Sequence, residues 1–287
     1  MFKKSWTFVD TPAKMAKAEK SIRSESVIAL DTEYDSFRYF RDKLCLLQIQ
    51  TGKKTWLIDP LAADLGFSFL GDVLNDPNIL KIFHAGDNDI RILKRDYGFA
   101  FRNIFDTHRA ASLLGFRHLA LSTLLETHLG VTLEKKMQRS RWDIRPLSEE
   151  QLDYAALDTA HLTDLYQKLD RELREKGLEK EARHHFVGLT EVIWQPRALD
   201  RVGHRKLPGY GQLASDQKER LRRLYRWRFE KAQEINRACF MLLSDTQLIA
   251  LARLKTVSLL TMTGPGLLST ESAHRFGPEL LTILQQD

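Results

Sequence analysis

Four apolar residues, Val27-Ile28-Ala29-Leu30, pass without a break into Asp31-Thr32-Glu33. The apolar run reads as a buried strand, and strand side chains alternate between faces with a period of two. Asp31 and Glu33 therefore leave the strand's end on one side. A fold that buries this strand must also accommodate two neighbouring anions, which repel and raise each other's pKa unless a cation lies between them. A divalent metal held through oxygen meets that demand. The simpler reading is a strand that runs into an acidic turn, and further carboxylates downstream weigh against it.

The 287 residues are enough for one large domain or two, and 43% apolar content can supply real cores. No run approaches the length of a membrane span, and Met-Phe-Lys-Lys-Ser-Trp at the start lacks the apolar core and small-residue site of a secretory signal. The expectation is a cytoplasmic chain with no membrane attachment. Cys45 and Cys239 have neither zinc-type nor disulfide-framework spacing and read as reduced core thiols. The net charge of +6 is unevenly placed. From Gln195 onward there are 15 Lys and Arg against 9 Asp and Glu, which leaves 29 of each before it. A neutral first part with a clustered acidic site, followed by a basic module, suits a protein whose second part holds a polyanion for the first to act on.

After a helix-like run at Pro12–Ser21, the Val27 strand is followed by an irregular segment, Tyr34–Lys43, and a second strand, Leu44–Gln50. A turn at Thr51–Lys54 returns the chain as a third strand, Thr55–Asp59, so the opening reads as an antiparallel meander. A helix over Ser68–Leu74 precedes a fourth strand, Ile79–Phe83. That strand leads through His84-Ala85-Gly86 into a helix with Asp87 as its expected cap, Asp89 in its first turn and Gly98 as its stop. Asn103–Thr107 reads as a fifth strand, with short helices near Arg109–Leu114 and Ser122–His128 and a basic loop at Lys135–Trp142. A single long helix is then expected, opened by a Ser148/Gln151 capping box and closed by Gly177. On it Tyr154 and Asp158 stand one turn apart and share a face.

Asp31 and Glu33 at a strand end, Asp89 at a helix start, and Tyr154 with Asp158 on a later helix form an ordered set. It resembles the DEDDy class of 3′-to-5′ exonucleases. The surrounding residues resemble ribonuclease D: Leu30-Asp31-Thr32-Glu33, Phe83-His84-Ala85-Gly86 with Asp89, and Arg145-Pro146-Leu147-Ser148 through Gln151 to Tyr154-Ala155-Ala156-Leu157-Asp158. The resemblance implies an α/β domain of ribonuclease-H-like fold with a mixed five-stranded sheet. It also implies two Mg²⁺ or Mn²⁺ ions per site, since two such ions roughly 4 Å apart can generate the hydroxide and stabilise the leaving oxygen together. On that basis Asp31 bridges both ions, Glu33 and Asp158 complete the one that activates water, Asp89 supports the second, and Tyr154 orients the water. A phenol with pKa near 10 is a poor base at neutral pH. Thr32, His84, Arg139 and Arg141 are the further positions expected to touch substrate, with Trp142 packing. Asp35, Asp87, Asp106, Asp143 and Asp153 fall outside the matching positions and are left out of the site.

Near the C-terminus, Ser215–Ala238 reads as a helix with Leu221, Leu224, Trp227 or Arg228, and Ala232 inward and Arg222, Arg223 and Arg226 outward. Ser244 caps another, and short helical pieces follow. Tyr225-Arg226-Trp227-Arg228, Leu243-Ser244-Asp245 and Phe276-Gly277-Pro278-Glu279-Leu280-Leu281 resemble the helicase-and-RNase-D C-terminal (HRDC) domain, a small all-α module. The expected organisation is an exonuclease domain at 1–195, a linker at 196–211 and the HRDC-like nucleic-acid-binding module at 212–287. The resemblance implies trimming of RNA with a free 3′ end, transfer-RNA precursors or other structured RNA included, to nucleoside 5′-monophosphates. A DNA exonuclease of repair or proofreading type, acting on single-stranded DNA, uses the same carboxylates, and a catalytically silent nucleic-acid-binding protein is a third reading.

Overall fold

The computed structural model describes residues 6–133 and 137–285. The chain divides into two compact units, Met1–Asp35 with Lys43–Gln195, and Ser36–Asp42 with Pro196–Asp287.

The first unit is built on one mixed sheet. Its elements are β1 (Trp6–Val9), α1 (Pro12–Arg23), β2 (Val27–Asp35), β3 (Lys43–Thr51), β4 (Lys54–Ile58), α2 (Leu70–Asn75), β5 (Leu80–Phe83), α3 (Asp87–Tyr97), β6 (Ile104–Asp106), α4 (Thr107–Leu113), α5 (Leu121–Leu129), α6 (Glu149–Ala160), α7 (Leu162–Glu175) and α8 (Glu179–Thr190). The strand order is β1-β4-β3-β2-β5-β6, with β2-β3-β4 antiparallel and the outer pairs parallel. The sheet thus has six strands, not five. The added one, β1, has four residues at a sheet edge, too short for alternation to reveal it.

The two faces of the sheet explain where the acidic strand points. Ile28 and Leu30 join the core beneath α1 and α3, with Met15, Ile22, Ile90 and Leu93. Ala29, one residue out of phase with them, packs instead against Leu162 of α7. Asp31 and Glu33 continue the Ala29 phase, toward the helices of the opposite face. The pairing slips between Glu33 and Tyr34, because Glu33 sits opposite Leu46 and Tyr34 opposite Leu44, which leaves Cys45 as the extra residue of a bulge. Cys45 and Leu46 both enter the cluster with Leu152, Ala155 and Ala156 of α6. Bulges re-aim side chains at the end of a ladder, and this one lies beside the acidic pair.

The expected long helix is broken in two at His161, whose backbone leaves helical geometry at φ −115°, ψ 5°. The carbonyl of Ala160, which would accept from the next turn, instead accepts from Gln50 Nε2 at 2.7 Å. α6 lies on β2, β3 and β4, whereas α7 packs on α4, α5 and α8, and one straight axis does not serve both surfaces. The capping box at Ser148 and Gln151 is present.

The second unit contains α9 (Ser215–Glu234), α10 (Cys239–Leu242), α11 (Asp245–Ala252) and α12 (Thr270–Gln285). Leu221, Leu224, Trp227, Arg228 and Ala232 are the buried face of α9. Arg228 is buried because it binds the Leu243 carbonyl and Asp245 at 2.9 and 2.8 Å. α12 is one continuous helix despite Pro278, where separate short pieces were expected. The carbonyl that Pro278 leaves without its helical donor belongs to His274, which is exposed to solvent. Residues 196–212 carry two short 3₁₀ turns, Gly203–Lys206 and Tyr210–Gln212. No helix among the described residues is long and apolar enough to cross a membrane.

Candidate active site

One carboxylate oxygen from each of Asp31, Glu33 and Asp158 lies within 4.8 Å of the others. β2 supplies the first two by its alternation, and α6 supplies the third from above the same face. Tyr154 stands one turn earlier on α6, on the same helix face as Asp158. Asp89 stands one hydrogen bond back: it is buried in the first turn of α3 and accepts from the hydroxyl of Thr32, the residue between the two β2 carboxylates. α3 can begin this close to β5 because position 86 is glycine. A Cβ there would lie 2.7 Å from the Phe83 side chain.

Burial and mutual repulsion dominate the electrostatics. Asp31 and Glu33 are pushed well above the ordinary carboxylate range, first by desolvation and then by the charges of their carboxylate neighbours. Desolvation carries Asp158 up to about 7 and Asp89 to about 6, against the lowering effect of hydrogen bonds from Tyr154 and Thr32. Burial and the same carboxylates push the Tyr154 phenol well above its usual value. Among the described residues none of the four carboxylates has a Lys or Arg partner. An all-oxygen, anionic, uncompensated donor set fits a hard divalent cation.

The carboxylates excluded from the sequence set have other work. Asp106 caps α4 through the Arg109 N–H and also accepts from Gly86 N–H, at 2.8 and 2.9 Å. Asp143 pairs with Arg141, and Asp153 accepts from Trp6 Nε1 at 2.6 Å. Asp87 does not cap α3, whose cap position is Gly86; it pairs with Arg109 at 2.7 Å.

The four positions expected to touch substrate differ in what surrounds them. The Thr32 hydroxyl is turned onto Asp89. His84 is held by Thr107 at 2.9 Å and against the His108 ring, and burial lowers its pKa to about 4, so it stays neutral at physiological pH. Arg139 and Arg141 are both exposed, and Arg141 pairs with Asp143. Lys135 and Lys136, the start of the basic loop, lie outside the described residues.

Two features around the site were not read from the sequence. Arg145 grips Asp59 through two bonds of 2.7 and 2.6 Å and also binds the carbonyls of Cys45 and Trp142, at 2.6 and 2.7 Å. It thereby pins the loop that places the buried Trp142 against Tyr154. Removing one side of a pair this enclosed leaves the other charge stranded, so Arg145→Ala is expected to cost about 3 kcal/mol in urea unfolding. Arg145→Lys, which lacks the two-pronged geometry, should recover less than half of that.

The second feature is Gln48, directly across the β2–β3 ladder from Asp31 and on its face of the sheet. It is fully buried, and neither amide atom has a hydrogen-bond partner among the described residues. An unsatisfied buried amide costs about 1–3 kcal/mol, so Gln48→Met is expected to raise the melting temperature in chelator. A lower melting temperature would show that the amide is satisfied. The signal for Gln48 is its register, which depends on how Tyr34–Lys43 runs between the strands.

Comparisons with known proteins bear on the family and the fold. Residues 6–174 match the family model described as 3′-5′ exonuclease, and residues 217–284 match that of the HRDC domain. The chain is 32% identical over 279 residues to ribonuclease D of Cronobacter turicensis, covering 97% of this chain and 75% of that one. It is 31% identical over 271 residues to protein RRP6-like 3 of Arabidopsis thaliana, covering 86% of this chain but only 30% of the relative's length. The catalytic core of RRP6 from Trypanosoma brucei superposes with a TM-score of 0.85 at 26% identity, covering 98% of this chain and 79% of that one. With a 3′-5′ exonuclease domain followed by an HRDC domain, and a match along nearly its whole length at this identity, the chain belongs to the ribonuclease D family.

Proposed function

We propose that the chain is a metal-dependent 3′-to-5′ exoribonuclease that shortens RNA from its free 3′ end and releases nucleoside 5′-monophosphates. The observation that carries this reading is the convergence of carboxylate oxygens of Asp31, Glu33 and Asp158 within 4.8 Å of one another. These three, with Asp89 behind them, would hold Mg²⁺ or Mn²⁺, two ions per site. Such ions acidify a bound water and neutralise charge on the leaving oxygen.

The remaining roles belong to side chains. Tyr154 keeps its proton at neutral pH, so it acts as a hydrogen-bond donor that orients water beside Asp158, not as a base. Thr32 fixes Asp89, and Trp142 backs the Tyr154 ring. In the C-terminal unit a cleft of about 680 Å³ is lined by Arg201, His204, Arg222, Arg223, Tyr225 and Arg226. Glu219 and Glu230 offset part of this charge. The surplus suits a phosphate backbone, with an affinity that falls as salt rises. Transfer-RNA precursors and other structured RNAs with exposed 3′ ends are the proposed substrates.

The test is to incubate the full chain with 3′-labelled single-stranded RNA and DNA, with Mn²⁺ or EDTA. Mn²⁺-dependent release of mononucleotides from RNA in preference to DNA is expected. Preference for DNA would replace this reading with a repair-type exonuclease. Tight binding without products would replace it with a silent binding protein.

A further inference from the structure

We propose that Phe37 and Phe240, flanked by Arg38, Tyr39 and Arg237, form a stacking platform for the bases of single-stranded RNA on the C-terminal unit. This rests on the reading of the chain as an RNA-processing enzyme. Phe37 is 64% exposed and Phe240 50% exposed, yet their ring centroids are 4.8 Å apart. Two large aromatic rings held together in solvent do not contribute a core. Scattered exposed apolar residues need no explanation, but a paired and anchored set does.

The anchoring is specific. Phe37 belongs to Ser36–Asp42, a segment that leaves the exonuclease unit three residues after Glu33 and folds with the C-terminal unit. Phe40 of that segment is buried in the helical core, edge-on to Phe229 at 5.0 Å, with the Arg197 guanidinium 5.4 Å from its ring. Arg41 N–H donates to Asn236 Oδ1, and Ala238 N–H donates to the Arg38 carbonyl, both at 2.9 Å. The two strips of chain that carry Phe37 and Phe240 are therefore laced together before any ligand arrives. Pre-ordering of this kind lowers the entropy cost of binding.

The charge around the rings selects the occupant. Residues 36–42 and 236–241 contain Arg38, Arg41 and Arg237 against the single acid Asp42. Arg38 lies 5.7 Å from the Phe37 ring and Arg237 lies 5.2 Å from the Tyr39 ring. Exposed aromatic faces among arginines suit a strand that offers bases and phosphates together, whatever its sequence. A duplex, whose bases are already stacked, has no use for the rings.

The experiment uses the full chain carrying Asp31→Asn, so that the strand is not consumed, and a 5′-fluorescein 12-nucleotide RNA, single-stranded or annealed. Fluorescence anisotropy should show that Phe37→Leu with Phe240→Leu weakens single-strand binding at least about tenfold, the effect expected for lost base–aromatic stacking. Trp at both positions should restore binding, and duplex affinity should not change. Both rings are exposed, so thermal melts of all variants should coincide.

Equal single-strand affinity in the Leu and parent proteins would overturn the platform. So would a self-associated parent that the Leu pair dissociates at unchanged RNA affinity, because the face would then serve a second copy of the chain. If protein with Asp31 intact fails to trim the strand in Mn²⁺ while the Phe effect on binding persists, the exonuclease reading falls and the platform stands.

Discussion

Asp31→Asn is expected to abolish turnover, with kcat falling by at least about a thousandfold, or about 4 kcal/mol in the barrier. Asp31 is flanked on its own strand by Glu33 and approached by Asp158 from α6, so it sits at the centre of the anionic cluster. An amide at this position keeps the shape and removes one anionic ligand. The same change removes a buried charge that its neighbours repel, so at pH 8 in chelator the variant should melt above the parent protein. Loss of activity together with a gain in metal-free stability separates a metal-site role from a folding defect. Near-normal kcat, or a variant that melts lower in chelator, would contradict the assignment.

Metal-free protein is expected to lose stability as pH rises from 5 to 8, and Mn²⁺ to restore it. The carboxylates of the site have folded-state pKa values above those of the unfolded chain, about 7 for Asp158 and about 6 for Asp89, with Asp31 and Glu33 raised as well. Between roughly pH 4 and 7 the folded state therefore holds more protons than the unfolded state, and the slope of stability with pH is negative. The contribution is complete below the ordinary carboxylate range and gone above the raised values. Asp200, Glu219 and Glu279 are lowered by hydrogen bonds to basic or indole partners and act in the opposite sense. The site's part is therefore read as the difference between parent protein and Asp158→Asn, expected to be about 5 °C in melting temperature between pH 5 and 8. Mn²⁺ at pH 8 should raise the parent's melting temperature, and at pH 6 its binding should release protons. A metal-free melting temperature that climbs with pH in the parent relative to Asp158→Asn would rule out the crowded-carboxylate account.

Much of the site was legible in the chain because its parts are local. Alternation puts Asp31 and Glu33 on one face, and a helical turn puts Tyr154 beside Asp158. Asp89 follows from a strand, a glycine and a helix start in succession. What was not legible depends on contacts between distant segments. β1 is recognisable only by its neighbour β4. The break at His161 has its cause in Gln50, about 110 residues away on β3. The Thr32 hydroxyl, expected at the substrate, is turned onto Asp89 because the β2 and α3 backbones bring the two together.

The sequence by itself determined which residues are candidates for the chemistry and on what kind of element each stands, since strand and helix periodicities act over a few residues and are written in residue order. Only the tertiary structure decided that Gln48 lies across from Asp31, that Arg145 closes on Asp59, and that Ser36–Asp42 folds with the C-terminal helices. These are matters of register and long-range packing. A slip of one residue between strands would reverse every face, and no local pattern encodes which partner a buried arginine or an exposed phenylalanine will meet.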